Sequence, residues 1–107
     1  RHCSIGDGTI IRDSCIDNYC IVGRNAVIER SAVMDRAMIE DGAEIRDSIV
    51  GRHVKIKSSL TNPTKIIGVS VIGDDVILGE GCEIISTKIY PHKIIPPRRR
   101  MINEILE

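Results

Sequence analysis

Aliphatic residues in this chain return every 17 positions, and that period constrains the fold more than any other feature. Ile5, Val22, Ile39 and Ile56 form one file at this spacing, Ile11, Ile28 and Ile45 a second, and Ile16, Val33, Val50 and Ile67 a third. Within each period the aliphatics fall 6, 5 and 6 residues apart, as in Ile5–Ile10, Ile11–Cys15 and Ile16–Ile21. Each block opens on an aliphatic and carries a second core candidate, usually small, at its fifth place. Those fifth places are Thr9, Ala26, Ala43 and Leu60; Cys15, Ala32, Ile49 and Ile66; and Cys3, Cys20, Ala37, Val54 and Val71.

Three short blocks per period read as three strands per triangular coil. Side chains alternate in and out along a strand, so the leading aliphatic fills the interior and the fifth residue is expected to point inward near a corner. Successive coils lie about 4.8 Å apart and pair as parallel strands. Gly8, Asn25 and Gly42 share one file, and both residue types tolerate positive φ, which predicts a tight corner there. Charges alternate down three outward files: Asp7, Arg24, Asp41; Arg12, Glu29, Arg46; and Asp13, Arg30, Asp47. Such ladders favour one register, because a slip scrambles them.

The reading is therefore all-β, a left-handed parallel β-helix of hexapeptide repeats with about 17 residues per coil and five to six coils. The left hand is taken by analogy with strict hexapeptide proteins, against the usual crossover rule. One break in register is expected, with Ile56 followed by Ile72 and an Asn62-Pro63 turn between them. The β-helix is expected over residues 1–97, truncated at its N-terminal end because the chain opens in mid-coil. After Pro96-Pro97, Met101, Ile102, Ile105 and Leu106 recur at helical spacing, so residues 98–107 are expected to form a short α-helix capping the stack.

Composition narrows the function classes. The 15 Lys+Arg balance 15 Asp+Glu, so no global charge directs the chain to nucleic acid or a membrane surface. There is no Trp or Phe to line a deep aromatic pocket, and no signal peptide or spanning apolar run. Four cysteines read as free thiols of a cytoplasmic protein. Cys3 and Cys20 are file neighbours, in small-residue core positions.

The stretch from Ser31 to Ile56 and the stretch from Ser70 to Lys93, which ends Tyr90-Pro91-His92-Lys93, resemble the C-terminal β-helix of sugar-1-phosphate nucleotidyltransferases. The similarity is to the thymidylyl-, adenylyl- and mannose-1-phosphate guanylyltransferase types. It implies an N-terminal catalytic domain, outside this chain, with a Gly-rich phosphate loop and carboxylates for Mg²⁺. It implies for the β-helix packing against that catalytic domain, homo-oligomer assembly and regulation, with no cofactor or metal of its own. Gly6 and Gly8 fit repeat corners and not a phosphate loop.

Two other activities are known on the same fold. A hexapeptide acyltransferase needs a general base, for which His53 is the candidate, in an outward file of His2, Tyr19, Arg36, His53 and Ser70. It also needs cations for the phosphates of acetyl-CoA, for which Arg98, Arg99 and Arg100 are candidates. A zinc hydratase needs three His on one metal, but His2 and His53 stand three coils apart, roughly 14 Å, against Zn–N bonds near 2 Å. His92 and Lys93 are a further candidate anion site at the end of the stack. A non-catalytic oligomerisation scaffold is the remaining alternative.

Overall fold

The computed structural model describes residues 3–106. Eighteen short strands wind into six coils of three strands each. Face A holds Ser4–Ile5, Ile21–Val22, Met38–Ile39, Lys55–Ile56, Ile77–Leu78 and Ile94–Ile95. Face B holds Ile10–Arg12, Val27–Glu29, Glu44–Arg46, Lys65–Ile67, Glu83–Ile85 and Arg100–Ile102. Face C holds Cys15–Ile16, Ala32–Val33, Ser48–Val50, Ser70–Ile72, Lys88–Ile89 and Ile105–Leu106. All pairings are parallel, and the fold is a three-sided parallel β-solenoid, with which the expected left-handed β-helix is consistent.

The interior is three stacked aliphatic columns. Val22, Ile39, Ile56, Leu78 and Ile95 fill it from face A, Ile28, Ile45, Ile66, Ile84 and Met101 from face B, and Val33, Val50, Ile72 and Ile89 from face C. Ala26, Ala43, Cys20, Ala37, Val54 and Cys82 close two of the three corners from inside. β-branched side chains suit these short strands, since their stiff χ1 packs well against the pleat.

All three corners use positive φ. Gly8, Asn25 and Gly42 make the A–B corner, as their file predicted. The other two corners carry non-glycine residues there, including Asp13, Arg30 and Asp47 at B–C, and Tyr19, Arg36, His53, Asp75 and His92 at C–A. A left-handed L-residue costs about 1–2 kcal/mol. Each of these corners is tied down: Arg30 N–H donates to Arg12 O, Asp47 to Glu29 O, His53 to Asp35 O and Asp75 to Arg52 O.

The third corner departs from the fifth-place expectation. Cys15 and Ile49 point outward, and Ser14, Ser31, Ser48, Ser70 and Thr87 occupy the inward places beside them. The reason is the short middle block. The inward corner residue is the one two places before the next core aliphatic, as strand alternation requires. In a six-residue block that is the fifth place, and in a five-residue block it is the fourth. The hydroxyls form a ladder. Ser31 Oγ donates to Glu29 O at 2.8 Å and accepts Ser48 N–H at 3.1 Å, and Ser14, Ser48, Ser70 and Thr87 repeat parts of the pattern.

The register break is larger than the sequence predicted and has two parts. Ile45 pairs with Ile66, a step of 21, so four extra residues enter at the A–B corner. They lie in a loop around Ser59–Pro63, closed by Ser59 N–H to Asn62 O and by Thr64 N–H to Ser58 Oγ. One more residue enters at the B–C corner, where Gly68 takes φ 71° and Val69 bulges outward. Hence Val50 pairs with Ile72 and Ile56 with Leu78. This corrects four assignments: Leu60 is 62 % exposed in the loop and Thr64 follows Ala43, Ile67 points outward, Val71 follows Ile49, and Asp75, not Ser70, follows His53.

The expected C-terminal helix is also corrected, because no helix occurs among the described residues. Arg100–Ile102 and Ile105–Leu106 continue faces B and C as the last coil, with Met101 buried directly over Ile84. The apolar spacing of Met101 and Ile105 suits either period. The open edge left by Glu83–Ile85 and Lys88–Ile89 decides for strands, since it offers backbone partners that a helix cannot use.

Candidate functional site

The outer faces differ in chemistry. Face B is a charge ladder. Arg46 Nε meets Glu29 at 2.6 Å, Arg46 Nη1 meets Glu44 at 2.8 Å, and Arg12 lies 3.7 Å from Glu29. At the B–C corner Arg30 grips both oxygens of Asp47, at 2.7 and 3.2 Å. The hydrogen bond from Arg46 holds the Glu29 carboxyl below its ordinary range, and that from Arg30 does the same for Asp47. Two of the three predicted ladders are thus direct side-chain contacts between coils. In the third, Asp41 instead accepts the backbone N–H of Arg24 at 2.8 Å.

Face C is apolar across its middle. Its outward row runs Cys15, Ala32, Ile49, Val71, Lys88 and Ile105, one per coil. Val69, 77 % exposed, projects beside Val71. A shallow hollow of about 480 Å³ lies between Cys15, Arg30, Ala32, Ile49, Val69 and Val71. Face A has a smaller one, about 320 Å³, over Ile21, Gly23 and Met38. Reading the row Cys15, Ala32, Ile49 as internal hid face C. The neighbouring file Ser14, Ser31, Ser48 was the available signal, because serine at a strict 17-residue spacing points to a repeated backbone contact.

The predicted site residues are scattered. His53 sits at an exposed left-handed corner, and its side chain makes no hydrogen bond among the described residues. Asp75 and His92 stack after it on the next two coils, with His92 Nδ1 3.8 Å from Asp75. His2 lies outside the described residues. Among the described residues no group of three or more His, Cys, Asp or Glu is placed to hold a metal.

Arg98, Arg99 and Arg100 do not start a helix. Arg98 turns the A–B corner, packs over Gly81 beside Asn62, and borders a polar hollow of about 250 Å³ shared with Thr61, Lys65 and Glu83. Arg99, at the A–B corner in the file after Cys82, and Arg100, on face B, are both exposed. Lys93 is half-buried next to His92, with no side-chain hydrogen bond or ion pair among the described residues.

All four cysteines are free thiols. Cys20 donates to Met34 O at 3.0 Å and Cys82 to Pro96 O at 3.2 Å. Burial pushes both thiols up, so neither is an activated nucleophile. No helix among the described residues is long and apolar enough to cross a membrane.

The architecture defines a class: a parallel β-solenoid domain with one charged face and apolar patches on the other two. Within that class, the chain belongs to the GMPPB C-terminal domain family (mannose-1-phosphate guanylyltransferase beta), which it matches over residues 1–104. The resemblance to nucleotidyltransferase β-helices is thereby narrowed to the guanylyltransferase type. No curated protein matches the chain.

Proposed function

We propose that this chain is the C-terminal assembly and regulatory domain of an enzyme that joins a sugar 1-phosphate to a nucleoside triphosphate. The family points to mannose 1-phosphate and GTP, with GDP-mannose and pyrophosphate as products. The observation that carries this reading is the family match along nearly the whole chain. In the parent enzyme the sugar phosphate attacks the α-phosphorus in line and pyrophosphate leaves, with Mg²⁺ held by the N-terminal domain. This domain's share is to hold subunits and catalytic domain in place. The apolar patches of faces A and C suit packing better than turnover.

The test is to express the full-length protein and assay GDP-mannose formation from mannose 1-phosphate, GTP and Mg²⁺. Turnover by the full-length protein, none by the isolated chain, and an altered assembly state without residues 1–107 are expected. A full-length protein with no nucleotidyl transfer to any sugar 1-phosphate would overturn the reading, as would acetyl-CoA-dependent acylation by the isolated chain.

A further inference from the structure

Cys3 and Cys20 are stacked on neighbouring coils. Ser4 and Ile21 are register partners on adjacent strands, and Ser4 N–H donates to Cys20 O at 3.0 Å, so the two cysteines, one residue earlier, share that register. Both thiols donate to equivalent carbonyls one coil apart, Cys3 to Asp17 O at 2.9 Å and Cys20 to Met34 O at 3.0 Å. We propose that this pair is an oxidisable disulfide site, whose bond staples the coil of residues 4–16 to the coil of residues 21–33. The inference is independent of the guanylyltransferase reading.

The geometry admits the bond. Register partners on neighbouring coils stand about 4.8 Å apart, inside the Cα separation of about 4.4–6.8 Å that disulfides use. The two thiols already interact, since the Cys3 side chain hydrogen-bonds with Cys20. Rotation about χ1 of either cysteine exchanges its carbonyl contact for the other sulfur. No third thiol competes: Ala37 and Val54 continue the file, Cys15 faces outward on face C, and Cys82 fills the A–B corner further along the stack. The coil of residues 4–16 has the most to gain. Its Ile5 is 48 % exposed, whereas Val22, the next in the same column, is 2 % exposed. A bond between residues 17 positions apart closes one full coil covalently, which constrains the unfolded chain.

The two thiols differ in access. Cys3 is half-buried and Cys20 is buried, so an oxidant meets Cys3 first. With a small disulfide such as oxidised glutathione, the Cys3 thiolate attacks one glutathione sulfur, the oxidant's S–S bond breaks, and one glutathione leaves as its thiolate. Cys20 then gives up its proton, attacks the Cys3 sulfur and expels the second glutathione thiolate. The two protein thiols lose two protons and two electrons, and the oxidant gains both to end as two glutathione thiols. Burial pushes the Cys20 thiol up, so the second step is the slower one and quickens as pH rises. Cys20 is oxidised through Cys3 alone, and an external reagent still waits for unfolding.

The experiment uses the 107-residue chain with Cys15→Ser, so that the exposed thiol of face C cannot cross-link copies. The folded chain is incubated with oxidised glutathione, quenched with acid, alkylated in denaturant and digested with trypsin. Mass spectrometry is expected to find the peptide of residues 2–12 joined to that of residues 13–24 with the loss of two hydrogens, and Cys82 as the one alkylated thiol. The oxidised chain should melt about 5 °C or more above its reduced form. Cys20→Ala, which repeats the residue found at Ala37 in the same file, should instead hold the glutathione adduct on Cys3. Circular dichroism confirms that each variant is folded. A Cys15→Ser chain that stops at the Cys3 adduct, or leaves Cys3 unreacted, overturns the proposal. So does a linked peptide that forms only in denaturant, or an oxidised chain that melts at or below its reduced form.

Discussion

Ser31→Ala tests the hydroxyl ladder and the inward–outward assignment of the B–C corner together. Ser31 is 6 % exposed, and its Oγ accepts Ser48 N–H at 3.1 Å while donating to Glu29 O at 2.8 Å. Alanine removes both bonds. Glu29 O keeps a partner, since Asp47 N–H also donates to it at 3.0 Å. Ser48 N–H loses its acceptor in a buried corner. An unmade bond of that kind costs about 1–3 kcal/mol, and we take about 2 kcal/mol. For a domain of this size that is a fall in Tm of roughly 10 °C. Ser31→Thr keeps the hydroxyl in the geometry Thr87 uses in the same file, and should stay near wild type. Ala32→Ser, one residue on and facing outward, should cost little. Urea unfolding followed by circular dichroism reads all three through the midpoint at constant slope. The reasoning is refuted if Ser31→Ala lies within about 0.5 kcal/mol of wild type, or if Thr is as damaging as Ala.

The columns make a sharper contrast. Ile45, 0 % exposed between Ile28 and Ile66, should not tolerate Asp, and Ile45→Asp should leave the chain unfolded at 25 °C by circular dichroism. Arg36→Asp at the exposed C–A corner should shift the melt of the dilute monomer by only a few degrees. Stability should also fall in acid. Glu29 and Asp47 are depressed in the folded chain by Arg46 and Arg30, so their contribution is complete above the ordinary carboxylate range. It is lost as pH falls through that range to the lower folded values, and high salt should shrink the effect, as a series of melts can read. Cys15 is exposed and should react first with a thiol reagent, whereas Cys20 and Cys82 should wait for unfolding. Equal rates for all four thiols would contradict the burial of the last two.

Most of the fold was legible because it repeats. A 17-residue period with aliphatics at fixed offsets admits few structures, and the Gly8, Asn25, Gly42 file marked one corner directly. The other two corners were less visible because Arg30 and Arg36 have no preference for positive φ. Their conformation is held by hydrogen bonds to the coil before, a long-range cause that local propensity does not contain. The site was less legible still. His53 and the arginines at 98–100 stood out by chemistry, but the structure spreads them along different edges and assembles face C from residues that looked internal.

The sequence by itself determined the period, the parallel solenoid, the aliphatic columns and the charge ladders, because each is set by residues repeating at one spacing. The tertiary structure alone decided three matters. It placed the break, since neither Asn62-Pro63 nor Gly68-Val69 says how many residues leave the ladder until Ile66 and Ile72 find their partners. It turned Met101 and Ile105 into a last coil, because an unpaired sheet edge outweighs a short helical pattern. And it chose which small residues face in, because strand alternation counts back from the next core aliphatic and not forward from the last.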